Sequence, residues 1–274
     1  MKVLAAARDA AFLEGLRRAG AEVVTTLTID DAREAIAREE PSCLVLDEGL
    51  PEAQELVVFV RSEVDGPDRD RLPVVSRLGA PERPPVRCVP DLEVARDEAP
   101  AQFVAAAKAI VLRRARQRRL FDQEVVLEVR TTPDAVEQTG DIYERLVAAA
   151  GYDEPTQVRM AHTFREAMGN AAEHGNKNQP DRLIRVAYLR AADRVTTVIQ
   201  DEGPGFDTKA FLARAGEVSP LEHTRSRRDV ESRPGGLGVF IMKETCDSIE
   251  FNGSGNAIFL TKFLPGHAPP IGIG

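Results

Sequence analysis

The chain has 274 residues, 43% hydrophobic and 29% charged, enough apolar material for a real core and a length more natural for two domains than for one. Its formal net charge of −8 repels nucleic acid and anionic membranes in bulk, so no nucleic-acid role is expected without a local basic patch. No apolar run approaches the roughly 18 residues of a membrane span, and Met1 leads into charged, alanine-rich sequence rather than a signal segment, which points to a cytoplasmic protein with no membrane contact.

Through the first half, short apolar runs alternate with helical patterns: strands at 2–6, 22–27, 43–46 and 73–78, helices at 11–19, 31–38 and 53–60. That rhythm predicts a parallel α/β sheet with helices on both faces. Asp30 and Asp31 supply an N-cap signal, and Gly20 sits where the first helix should stop. Residues 79–100 are rich in Pro and Arg, with 85–88 as a last edge strand. Residues 101–121 read as a helix with Phe103, Ala107, Ile110 and Val111 on one stripe. The arginines that follow, Arg113, Arg114, Arg116, Arg118 and Arg119, read as a solvated face pairing with carboxylates rather than as a nucleic-acid contact. Cys43, Cys88 and Cys246 are odd in number and far apart, and read as buried small hydrophobes.

The second half has a different order: a strand at 124–130, helices at 141–150 and 158–173, strands at 184–190 and 194–200, a helix at 238–246, and strands at 248–251 and 257–263. Helices on one face of a mostly antiparallel sheet make an α+β layer. The expected domains are therefore residues 1–120 and 121–265, followed by a loose Pro/Gly-rich tail at 266–274.

Three segments of the second half carry chemistry. Glu166 and Asn170 are four apart, so on a helix they project from one face. Mg²⁺ bound to phosphates needs only one or two protein oxygens, which an Asn carbonyl can supply, while a carboxylate one turn away can reach an attacking hydroxyl. The run from Val198 to Phe206 is a β pattern ending in Asp201, then Gly203 and Gly205. An Asp at a strand end beside an apolar slot can accept a hydrogen bond from an adenine amino group, and glycines let the backbone pass close to the base. Gly235, Gly236, Leu237 and Gly238 open an apolar helix, and free N–H groups at a helix start make a phosphate cradle. His174 before Gly175 reads as a helix C-cap rather than a ligand.

Taken in order, a Glu-x-x-x-Asn helix, a strand ending Asp-x-Gly-x-Gly and a Gly-x-Gly helix start resemble the asparagine box and two glycine boxes of the GHKL ATPases, over about residues 124–264. Within that superfamily, Glu173-His174-Gly175-Asn176 looks most like the anti-sigma-factor serine/threonine kinases of partner-switching pathways. The resemblance implies a Bergerat-type α+β sandwich binding ATP and Mg²⁺. It implies Glu166 as general base, Asn170 as Mg²⁺ ligand and Asp201 as adenine anchor. Gly203, Gly205, Gly236, Leu237 and Gly238 would form the nucleotide loops. Residues 207–234 would be a lid carrying Arg225, Arg227, Arg228 and Arg233. The family's Thr pair on the last strand is replaced here by Gly255-Asn256-Ala257-Ile258. The implied partner is a small regulatory protein of the anti-anti-sigma type, a sigma factor, or both, with a homodimer left open.

The first half resembles a response-regulator receiver, a flavodoxin-like fold, over about residues 1–120. Residues Cys43 to Pro51 match the strand and loop of the phosphoacceptor Asp, here Asp47, and Ser76 matches the conserved hydroxyl. The metal-binding acidic pair falls on Ala7 and Arg8, and the Lys before the last strand's proline falls on Val89. Without metal and cation, phosphoryl transfer to Asp47 lacks its charge neutralisation. The expectation is a pseudo-receiver that binds a partner or pairs with itself. A sensor histidine kinase would need a phosphoacceptor His before the ATPase domain, whereas His162, His174, His223 and His267 lie inside or after it. A module that uses ATP to shape a sequestering surface, with little turnover, would use the same residues as the kinase.

Overall fold

A computed structural model of the chain describes residues 1–64, 72–78, 84–116, 120–208 and 236–267. It divides into two compact units between Val125 and Val126.

The first unit contains β1 (Lys2–Ala6), β2 (Glu22–Thr25), β3 (Cys43–Asp47), β4 (Val74–Arg77), β5 (Val86–Cys88) and β6 (Leu92–Val94). All but β5 form one parallel sheet in the order β2-β1-β3-β4-β6. This is the doubly wound flavodoxin-like order. Helices α1 (Ala10–Arg18), α2 (Ile29–Glu39), α3 (Ala53–Phe59) and α4 (Pro100–Arg116) cover it, α1 packing with α4 and α2 with α3. Strand residues alternate between the two layers: Val3, Ala5, Val45 and Val75 join Phe12, Leu16, Phe103, Ala107 and Ile110 in one buried cluster. Phe12 meets Phe103 edge-on at 5.0 Å.

One strand assignment is corrected. Residues 86–88 do form a strand, but the edge of this sheet is β6, tied to β4 by Asp91 N–H to Val74 C=O (2.9 Å) and Leu78 N–H to Val94 C=O (2.9 Å). Strand β5 lies against α3, where the Gln54 side-chain oxygen accepts from Cys88 N–H at 2.8 Å. Local patterning favours both runs equally, and pairing across the sheet decides between them. Asp91 also anchors buried charge, since Arg61, 1% exposed, donates to it at 2.5 Å and Arg114 meets it too. That pairing agrees with the carboxylate-paired reading of the arginine cluster, of which Arg118 and Arg119 lie outside the described residues.

In the second unit β7 (Gln123–Arg130), β8 (Leu183–Arg190), β9 (Arg194–Gln200), β10 (Ser248–Phe251) and β11 (Ala257–Phe263) follow the order β10-β11-β9-β8-β7, with antiparallel ladders from β8 through β10. Helices α5 (Pro133–Ala148), α6 (Glu154–Asn170) and α7 (Gly236–Thr245) complete it. Alternate residues Ile184, Val186 and Tyr188 of β8 turn inward and are buried. Tyr143 of α5 stacks on Phe164 of α6 at 4.0 Å and takes a hydrogen bond from Thr197 of β9 at 3.2 Å. Both helices start earlier than expected, α5 by eight residues. Pro133 after Thr132, and Asp153 accepting from Thr156 N–H at 3.0 Å, set those starts. Among the described residues, no helix is long and apolar enough to cross a membrane.

Candidate functional site

Helix α6 ends by presenting Glu166 and Asn170, both half-buried and one turn apart. The chain then widens into a π-helical turn at Ala171–Gly175, a feature that often accompanies functional sites. Asn176 N–H closes the turn on Ala171 C=O at 2.8 Å. The left-handed residues that end the helix are Lys177 and Asn178, at φ 57° and 54°. His174 is an exposed member of the turn, so the expected His-Gly cap lies three residues further on.

The turn brings Gly175 against Asp201 at the end of β9. A Cβ on Gly175 would stand 2.2 Å from the Asp201 carboxyl carbon, and one on Gly203 would stand 2.6 Å from the Gly175 carbonyl oxygen. Gly203 N–H donates to Asp201 Oδ1 at 2.7 Å, while Oδ2 has no hydrogen-bond partner among the described residues. Burial raises the Asp201 carboxyl above its ordinary value, with the Gly203 N–H pulling it back. The result is an aimed acceptor with one oxygen pinned and one available.

Asn176, fully buried, holds this arrangement from behind. Its Nδ2 donates to Thr131 Oγ1 (2.8 Å) and Leu183 C=O (3.0 Å), and its Oδ1 accepts from Glu202 N–H (2.8 Å). One side chain thus joins the π turn to β7, β8 and the loop after β9. Sequence reasoning missed this role, although the Gly175-Asn176 pair carried the signal. Asn256, standing where the Thr pair was expected, clamps Asp201 through its backbone: Asp201 N–H donates to Asn256 C=O (3.0 Å), and Asn256 Nδ2 donates to Asp201 C=O (3.1 Å). The glycines after Asp201 are also required by the protein's own packing: at Gly205, φ 75°, a Cβ would lie 1.8 Å from Ser254 C=O.

On the other side α6 packs against α7, whose first three residues are Gly236, Leu237 and Gly238. A cleft of about 430 Å³ between these helices is lined by Arg159, His162, Arg165, Glu166 and Ile241. All of the expected lid beyond residue 208, with Arg225, Arg227, Arg228 and Arg233, lies outside the described residues. No three His, Cys, Asp or Glu side chains converge as a metal cage among the described residues.

In the first unit Asp47 sits at the carboxyl end of β3, 5% exposed. Arg96 grips it with two parallel hydrogen bonds of 3.1 Å, and Gly49 N–H adds a third at 3.0 Å. Arg77 Nη1 bridges Asp9 (3.1 Å) and Asp47 (3.5 Å), its guanidinium lying 4.2 Å from the centre of the Phe12 ring. The expected lack of a cation at Asp47 is thereby corrected. Because the sheet's last strand is β6 rather than 85–88, the cation that follows it is Arg96, not Val89. Ser76 is occupied as well, donating to Glu48 at 2.7 Å.

Comparison with known proteins falls on the second unit. Residues 129–262 match the family model of the histidine kinase-like ATPase domain. The serine-protein kinase RsbW of Bacillus subtilis is 29% identical over 116 residues, covering 42% of this chain and 68% of that protein. RsbW of Listeria monocytogenes serotype 4a is 25% identical over 143 residues, covering 52% and 87%. Among solved structures, a candidate response regulator from Chloroflexus aurantiacus aligns with 40% of this chain and 97% of its own, at 22% identity and a TM-score of 0.32. That score is too low to bear on the first unit, whose fold rests on its strand order. The helix with Glu166 and Asn170, the strand ending at Asp201 and the glycine-led α7 all fall inside residues 129–262, the span that is similar to the histidine kinase-like ATPase domain.

Proposed function

We propose that the chain is an ATP-dependent protein serine/threonine kinase of the partner-switching type, acting on a small regulatory protein, with the first unit as a pseudo-receiver. The observation that carries the reading is Asp201, half-buried, with one carboxylate oxygen fixed by Gly203 N–H and the other unpartnered among the described residues. An adenine 6-amino group donates to such an oxygen, and a guanine has a carbonyl at that position. Gly175 and Gly203 keep the space around it clear of Cβ atoms. Bound MgATP supplies the phosphoryl group and its charge-neutralising cation. Asn170 would hold that cation through its side-chain oxygen, and the N–H groups of Gly236, Leu237 and Gly238 would receive phosphate. Glu166 accepts the proton of the partner's hydroxyl as that oxygen bonds to the γ-phosphorus and ADP leaves. The name of the relatives, serine-protein kinase, supports the same acceptor chemistry.

Calorimetry on the full chain tests the first step, where MgATP binding is expected and its absence in a folded sample overturns the proposal. Radiolabel transfer into extract of the cells that natively make the protein tests the second. Wild type labels a partner and Glu166→Ala does not, although it binds ATP, the loss being about 10²–10⁴-fold for a general base. ATP-dependent capture of a partner without labelling identifies a sequestering module instead.

A further inference from the structure

The cleft beside Glu166 has a direction. Asn170 lies one turn toward the C-terminus of α6, so on the proposed reading the nucleotide approaches from that end. Toward the N-terminus, His162 and Arg159 stand four and seven residues before Glu166, on the same helical face. Both are exposed. Arg159 Nη2 donates to Thr156 Oγ1 at 2.8 Å, and its charge reaches the Asp153 carboxylate at the start of α6 without a close ion pair among the described residues. Arg165, beside them, is held toward α5 by Glu144 and passes over Gly140, where a Cβ would come within 3.4 Å of its Nε. A basic strip leading to a carboxylate therefore stands out on a chain of net charge −8.

We infer that this strip is the docking track for an acidic, extended segment of the substrate protein carrying the acceptor hydroxyl, an inference that rests on the kinase reading above. Seven residues of helix rise about 10 Å, the reach of about three residues of extended chain. An acceptor hydroxyl at Glu166 thus brings a side chain about three positions away to Arg159, with His162 beneath the residues between. Glutamate or aspartate there meets an exposed guanidinium that forms no close ion pair among the described residues, Asp153 acting on it only through space. The track selects substrates by charge and leaves nucleotide binding alone.

The test uses the full chain with Mg²⁺ and a non-hydrolysable ATP analogue. The probes are two fluorescent peptides with a central serine, identical except for glutamates or lysines three positions to either side. Anisotropy is expected to show binding of the glutamate peptide only, weakening as salt is raised. Arg159→Glu should reduce that binding about tenfold or more, with analogue affinity unchanged by calorimetry. Equal binding of both peptides, no binding of the glutamate peptide, or indifference to Arg159→Glu overturns the track while leaving the kinase reading standing. Failure of wild type to bind the analogue at all overturns that reading, and the track with it.

Discussion

Replacing Asn176 by Ala isolates the side chain that braces Asp201 without touching any group proposed to meet ATP. The substitution removes the acceptor of Glu202 N–H and the donor to Leu183 C=O, and it strips Thr131 Oγ1 of a partner. Each orphaned group costs about 1–3 kcal/mol. The Glu202 and Leu183 groups are only partly buried, so solvent recovers some of that. The expected net loss is about 2–5 kcal/mol, or roughly 4–20 °C in the second unit's melting temperature, at about 2–4 °C per kcal/mol for a domain of this size. The chain provides its own reporter: it has no Trp, and its three tyrosines, Tyr143, Tyr152 and Tyr188, all lie buried in the second unit. Urea unfolding followed by tyrosine fluorescence therefore reads that unit alone. Asn176→Asp, which keeps the acceptor for Glu202 N–H and loses the donors, separates the two halves of the brace. A midpoint for Asn176→Ala within about 0.5 kcal/mol of wild type, the range of an ordinary surface substitution, would falsify the reasoning.

Three further outcomes are expected. Asp201→Asn should weaken ATP yet raise the melting temperature of the ligand-free chain at neutral pH. A carboxyl whose folded value is raised binds more protons folded than unfolded, so its cost to stability grows as pH climbs from the ordinary value through the raised one. Equal melting of the two proteins across pH 3–8 refutes this. Acetyl phosphate should leave Asp47 unmodified because Arg96 and Arg77 already occupy its oxygens, and a phosphoprotein that disappears in Asp47→Ala counts against it. Cys43 and Cys246, whose thiols burial pushes up to about 12, should resist iodoacetamide at pH 8 in the folded chain and react after unfolding.

The sequence made both sheets and the order of the candidate-site segments legible because those signals are local: β runs with period two, a Glu-x-x-x-Asn spacing, glycines opening a helix. The early starts of α5 and α6 were legible too, in Pro133 and in Asp153 with Pro155, but Gly140 and the polar residues following each start dilute the apolar stripe. What could not be read was pairing between distant residues. Which of 86–88 and 92–94 closes the parallel sheet depends on hydrogen bonds to Val74 and Leu78, and the wrong choice displaced the cation of Asp47 from Arg96 to Val89. Gly203 and Gly205 stood out by pattern, yet their constraint comes from Gly175 and Ser254, distant in sequence. The same holds for Asn176, whose place in the Glu173–Asn176 phrase was legible while its three partners were not.

The two arginines at Asp47 alter what kind of variable the first unit can respond to. A dissociable cation fills a site according to its concentration and stabilises the filled form by RT ln(1 + [L]/Kd). Arg77 and Arg96 are tethered, so no such term applies to them: the counter-charge arrives when β4 and β6 take their places in the sheet. Occupancy at Asp47 is thus an attribute of the fold, and added salt acts on it by screening the half-exposed Arg96 rather than by filling the site.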